Sequence, residues 1–290
     1  MNKQEANKVA ELCSREVLER EPWTQPHHVG LVSKPTTQAD IESYWCQYWC
    51  ERMGIDWRYH RKVWELAYVC QVLWEHGKLQ PSSRGIGFAC GQEPLASTFV
   101  VEGGVNLVVT DLSSTADESR AWQRTNQHSD NLEAVWKENL LPFEEFEASA
   151  TFRSVDMRNI PEDLLQGQYD FVWSVCSFEH LGSLQAGVDF VNQAMKCLKP
   201  DGVAVHTTEY SFREAALDHH ESALYDAEWL CRLMKQAGVS DWDFSTGSGP
   251  LDGYVDEPPY RDDAPHLKMR AWKYACTCFG LVLPKSKFGL

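Results

Sequence analysis

From Gly85 onward the chain alternates short apolar runs with stretches of helical spacing. The runs Gly85–Ala89, Asn106–Asp111, Thr151–Asp156, Tyr169–Val175 and Val203–Tyr210 are rich in Val, Phe or Ile, the pattern of strands buried on both faces. Between the last two, Leu184, Val188, Val191, Met195 and Leu198 recur at helical spacing, and Lys196 and Lys199 complement the helix dipole at the C-terminal end before Pro200-Asp-Gly202 stops it. This β-α-β order predicts a parallel sheet. Two further runs, Val239–Phe244 and Tyr274–Leu283, bring the expected strands to seven. The Gly- and Pro-rich segment between them, with Gly247 to Gly253 and Pro258-Pro259, reads as a loop. The fold class expected is α/β: a Rossmann-like, seven-stranded, mostly parallel sheet with helices on both faces and an N-terminal helical extension.

The chain divides near Pro81, giving an aromatic-rich helical segment over residues 1–80 and an α/β domain over 81–290. Trp45 with Trp49 and Trp64 with Tyr68 stand at helical spacing, which suits a packed core, the interface of a homo-oligomer, or a lid offering flat faces to a sugar ring. Ser113–Glu147, helical around Leu132–Leu141, is longer than a crossover helix requires. Extra length at the carboxyl end of a strand is either a substrate wall or structural elaboration.

Charge narrows the partners. Lys plus Arg number 27 and Asp plus Glu 42, a net charge of −15, which disfavours nucleic acid and anionic membrane surfaces. No apolar run approaches a membrane span, and Met1–Arg20 carries charges throughout, unlike a secretory leader. The ten cysteines fit neither a disulfide framework nor paired zinc knuckles, so reduced thiols and a cytoplasmic location are expected.

The candidate chemistry begins at Arg84-Gly-Ile-Gly-Phe-Ala-Cys-Gly-Gln-Glu-Pro-Leu95, followed twenty residues after Gly91 by a strand ending in Asp111. A strand, a tight turn, a helix and a second strand ending in a carboxylate form a cofactor cradle with a ribose acceptor. Gly91 lacks a Cβ and lets backbone approach a ligand, or serves as an ordinary turn glycine. Asp111 can take two ribose hydroxyls or cap the next turn. Glu93 would oppose a pyrophosphate, which favours a cationic nucleoside over a dinucleotide; it can equally cap the following helix or approach a ligand's ammonium group.

These elements resemble the class I S-adenosylmethionine-dependent methyltransferases over residues 84–285. Gly87-Phe-Ala-Cys-Gly-Gln-Glu93 stands where that family has an acid and a Gly-x-Gly-x-Gly run, with Ala89 and Glu93 in place of two glycines and Gly87 in place of the acid. Ser174-Val-Cys-Ser-Phe-Glu-His180 follows the fourth strand, and Cys197-Leu-Lys-Pro-Asp-Gly-Val203 is similar to the family's Leu-Lys-Pro-Gly-Gly turn. The resemblance implies S-adenosylmethionine as cofactor, held by Gly87, Ala89, Cys90, Gly91 and Glu93, by Asp111 and Leu112, by Asp156 and Met157 around the adenine, and by Ser174. More narrowly, Gly87–Leu95, Phe178-Glu-His-Leu-Gly-Ser183 and Val205-His-Thr-Thr-Glu209 resemble bacterial methyltransferases of cell-surface polysaccharides. That implies O-methylation of a small-molecule or glycan acceptor.

Methyl transfer to a hydroxyl requires alignment and a base. His180 after the fourth strand is the first candidate, with Glu179 able to exchange roles; as alternatives His180 caps a helix or packs. His206 and Glu209 on the fifth strand are three apart and face opposite sides, so one of them enters the cleft. His128 and His219-His220-Glu221 are the residues available to a divalent metal, but they show no tight ligand spacing, so no metal is assigned. Two rivals remain: a nicotinamide-dependent oxidoreductase, and a scaffold that keeps the cofactor fold without catalysis.

Overall fold

The structure, a computed structural model, describes residues 15–211, 216–244, 269–271 and 274–287. Its strands are β1 (Lys34–Pro35), β2 (Arg84–Gly87), β3 (Asn106–Asp111), β4 (Ala150–Ser154), β5 (Tyr169–Val175), β6 (Leu198–Ser211), β7 (Met269–Ala271) and β8 (Tyr274–Pro284). They form one sheet in the order β1-β8-β6-β5-β2-β3-β4, with β7 also paired to β8. β4, β3, β2, β5 and β6 are parallel; β8 runs antiparallel to β6 and β1 antiparallel to β8. The order reverses at β2, and that reversal opens a crevice at the carboxyl ends of β2 and β5.

Helices cover both faces. On one lie α1 (Tyr44–Met53), α2 (Arg61–Glu75) and α3 (Leu95–Gly103), packed with Phe171, Trp173, Val203 and Val205; on the other lie α4 (Leu184–Ala194) and α5 (Ala227–Gln236), packed with Ile86, Val172, Ala204 and Leu281. Odd-numbered residues of β6 therefore face α2, and even-numbered ones face α4. Side-chain caps start several helices: Ser43 for α1, His60 for α2, Ser183 for α4 and Asp226 for α5.

The aromatic segment is core. Trp49 and Trp64 are fully buried, and their indole N–H groups donate to Gln71 Oε1 at 2.7 Å and Asp40 Oδ2 at 3.1 Å. Residues 33–75 thus supply an edge strand and, with α3, the helices over one face of the sheet.

Two expected elements differ, and a third is untested. Val239–Phe244 is not a strand; only Trp242 bridges the sheet, pairing with Ser33, because the edge beside β8 is taken by β1 from the N-terminal segment. The helix expected over Leu132–Leu141 is one turn, Leu132–Val135, ended by extended backbone at Trp136, and a second helix follows at Phe143–Ser149. The loop expected over Gly247–Gly253 and Pro258-Pro259 lies outside the described residues. Among the described residues the nine cysteines are free thiols, and no helix is long and apolar enough to cross a membrane.

Candidate functional site

A cavity of about 330 Å³ opens at the carboxyl ends of β2 to β5. Its floor is the turn after β2. Ala89 and Gly91 both have positive φ, 49° and 52°, and a Cβ on Gly91 would collide with the carbonyl oxygen of Gln127. Gly91 is thus required both by its left-handed backbone and by close approach of another chain segment. Ala89 adopts, at some strain, a conformation that favours glycine, and it stands where the resembling family has one.

Asp111 ends β3 as expected and faces the cavity. Its Oδ2 accepts from Gly91 N at 3.2 Å and from Ser129 N and Oγ at 3.1 and 3.2 Å, while Oδ1 accepts from Leu112 N at 2.7 Å. One oxygen ties the turn after β2 to the long crossover; the other keeps capacity for a ligand hydroxyl. Burial pushes its carboxyl above the usual range, against those hydrogen bonds. Leu112, Asp156 and Met157 also line the cavity. Burial raises Asp156, but its hydrogen bonds from Arg158 prevail and hold it below the usual range.

The crossover forms the facing wall through Glu118, Trp122, Asn126, Gln127 and His128. His128 Nε2 lies 2.7 Å from the carbonyl oxygen of Leu112, so this nitrogen carries the proton and fastens the wall to the end of β3.

Of the four candidate bases, His180 lines the cavity. Its Nδ1 donates to the carbonyl oxygen of Glu221 at 2.7 Å, which leaves Nε2 as the basic nitrogen of the neutral ring, and Trp122 packs edge-on against it at 4.7 Å. Burial holds its pKa below the usual imidazole value, so the ring is neutral near pH 7. His206 points to the other face, against Phe178 and Phe190; its Nδ1 meets Ser174 Oγ at 2.8 Å, and burial drives its pKa down to about 3. Ser174 and His206 bond each other away from the cavity because the strand alternates there, and the buried His206 Nε2 has no partner among the described residues.

Glu179 is fully buried, with Oε2 accepting from Thr208 Oγ1 at 3.2 Å; burial first, and Glu209 second, raise it to about 8. Glu209 shares the α2 face and sits 3.9 Å from Arg61 Nη2. Neither Glu179 nor Glu209 lines the cavity, and neither do Gly87 and Cys90. A Cβ on Gly87 would strike Trp173 and the Cys90 sulfur, so both serve packing beneath the turn.

The structure adds residues that sequence patterning passed over. Lys62, from the first turn of α2, reaches the cavity and pairs with Glu93 at 3.2 Å and Glu65 at 3.3 Å. Glu93 does not stand as a bare anion: burial raises it to about 7 while Lys62 opposes. Glu65 is buried in mid-helix. Burial raises its pKa, yet Lys62 and Arg61 outweigh that and bring it down to about 2. Arg61-Lys62 with Glu65 on an otherwise apolar, aromatic helix was the available signal, since a charge surrounded by core positions needs a partner.

No protein-family description and no curated protein matches the chain. Solved structures with a similar fold include the [4+2]-cyclase SpnF, at 13% identity over 80% of this chain and 72% of that one, with a TM-score of 0.46. Phosphoethanolamine N-methyltransferase 2 of Haemonchus contortus, solved with S-adenosylhomocysteine, is 19% identical over 59% of this chain with a TM-score of 0.41. A candidate sarcosine dimethylglycine methyltransferase from Galdieria sulphuraria is 17% identical over 62% of this chain with a TM-score of 0.38. The chain spans 54% of the Galdieria protein's length and 36% of the Haemonchus one's. The metal candidates from sequence, His128 and His219-His220-Glu221, do not converge on one point.

Proposed function

We propose that the protein transfers a methyl group from S-adenosylmethionine to a hydroxyl of a small acceptor, a sugar or glycoconjugate being the class expected from the sequence. The observation that supports this best is the meeting, in one cavity, of the glycine turn after β2, Asp111, Asp156-Met157 and a neutral histidine. The residues fit the cofactor. Asp111 Oδ1 keeps an acceptor site for a ribose hydroxyl, Met157 offers an apolar face to a base, and adjacent Glu93 and Lys62 offer one charge of each sign to an amino-acid end.

When bound there, S-adenosylmethionine supplies a methyl carbon already activated by sulfonium. The protein aligns the acceptor oxygen with that carbon and excludes water. His180 Nε2 takes the acceptor's proton, while Glu221 holds the imidazole by its Nδ1–H and stabilises the imidazolium that forms. Incubating the protein with methyl-labelled cofactor and a panel of sugars, and following label into product, tests this reading. Transfer to a hydroxyl acceptor that fails in His180→Ala supports it; transfer undiminished in that variant removes His180 from the reaction.

A further inference from the structure

We propose that Glu65, Cys176 and Cys278 form a binding site for a thiolate-preferring divalent cation, zinc by its chemistry, beside the cofactor cavity. The three donors come from α2, from the turn after β5 and from β8, and converge with all ligand atoms within 4.8 Å of one another. The sulfurs of Cys176 and Cys278 are 3.6 Å apart, and Cys278 Sγ lies 2.8 Å from Glu65 Oε1. Two thiolates on one tetrahedral zinc, at about 2.3 Å each, stand roughly 3.8 Å apart, so the sulfurs are already spaced as ligands. Glu65 Oε2 is held by Thr207 Oγ1 at 3.1 Å and Lys62 Nζ at 3.3 Å, which orients Oε1 toward the sulfurs as a supporting shell does.

A cation already marks the place. Arg61 Nη1 lies 2.9 Å from Glu65 Oε1 and 3.4 and 3.5 Å from the two sulfurs, touching all three donors at once. The guanidinium and a metal ion would compete for the same donors. Arg61 has a second carboxylate to turn to, since its Nη2 is 3.9 Å from Glu209 Oε1. Binding releases two thiol protons to solvent. Two thiolates, one carboxylate and a dication then sum to a single negative charge, which Lys62 balances. Cys176 lines the cavity, so an ion held here borders the reacting space, and it clips α2, β5 and β8 together.

The test is titration of the intact, reduced protein with Co²⁺, read by thiolate-to-metal charge transfer, and with Zn²⁺, read by thermal unfolding. The expected result is one ion per chain, a rise in Tm with Zn²⁺, and loss of both signals in Cys278→Ser and Cys176→Ser. Arg61→Met, which removes the competing cation, is expected to tighten Co²⁺ by about tenfold or more. Charge transfer absent from both the wild type and Arg61→Met overturns the site, as does binding unchanged in both serine variants. Unchanged affinity in Arg61→Met overturns the shared position. S-adenosylhomocysteine affinity in the same samples reports the cofactor cavity separately.

Discussion

His180 gives its Nδ1 proton to the carbonyl oxygen of Glu221 across 2.7 Å, and this one hydrogen bond decides which imidazole nitrogen is basic. A carbonyl only accepts, so the tautomer follows from the geometry. Burial, by lowering the pKa, keeps the ring ready to accept a proton at neutral pH.

His180→Ala is therefore expected to reduce kcat by about two to four orders of magnitude, the usual contribution of a positioned base, while S-adenosylhomocysteine affinity stays within about twofold. Single-turnover rates beside calorimetry on the same preparation separate the two effects. Equal loss in both would make His180 a structural residue.

The turn after β2 yields a paired expectation. Gly91→Ala meets the Gln127 carbonyl and a φ of 52°, so it is expected to cost more than about 1 kcal/mol and to weaken the cofactor. Ala89→Gly relieves a φ of 49° and is expected to change stability by less than about 1 kcal/mol. Denaturant midpoints of the two variants check the contrast, and equal losses would contradict it.

Much of this was legible in the sequence, and the limits have physical causes. β3 and β5 are bounded as patterning predicts, because each is a short apolar run buried on both faces. Asp111 was legible from its spacing to Gly91. The edge beside β8 was not, because Ser33–Pro35 fills it from over two hundred residues away in sequence. Strand alternation separated His206 from Glu209 but could not say which faced α2, since parity alone carries no direction. Lys62 and Glu65 escaped because only tertiary packing lays α2 across the ends of β5 and β6.

Two buried glutamates shape the pH dependence of stability in opposite senses. Glu65 has a folded pKa of about 2, below its unfolded value, so its contribution is complete above roughly pH 4.5 and is lost as pH falls toward 2. Glu179, raised to about 8, binds a proton in the folded state that the unfolded chain has released, so stability declines as pH rises from about 4.5 to 8. Glu179→Gln removes the Glu179 share of that decline and leaves that of Glu93, which burial also raises, to about 7. Its Tm relative to wild type is expected to improve between pH 6 and pH 9, by about a few degrees; a constant difference would place the titration elsewhere.

Lys62→Met leaves Glu93 and Glu65 without their shared cation. It is expected to weaken S-adenosylhomocysteine by about tenfold, as loss of a charge-assisted contact does. Competition with adenosine, which lacks the amino-acid end, locates the loss. Adenosine affinity is expected to hold, and an equal fall for both ligands would place Lys62 in the scaffold.

The most direct measurement of the central claim is calorimetric titration of S-adenosylhomocysteine and NADH into wild type and Asp111→Ala. One S-adenosylhomocysteine per chain, weakened by about tenfold or more in Asp111→Ala and with no heat from NADH, is the result the cavity's chemistry predicts. No binding of S-adenosylhomocysteine, or tighter binding of NADH, would contradict it.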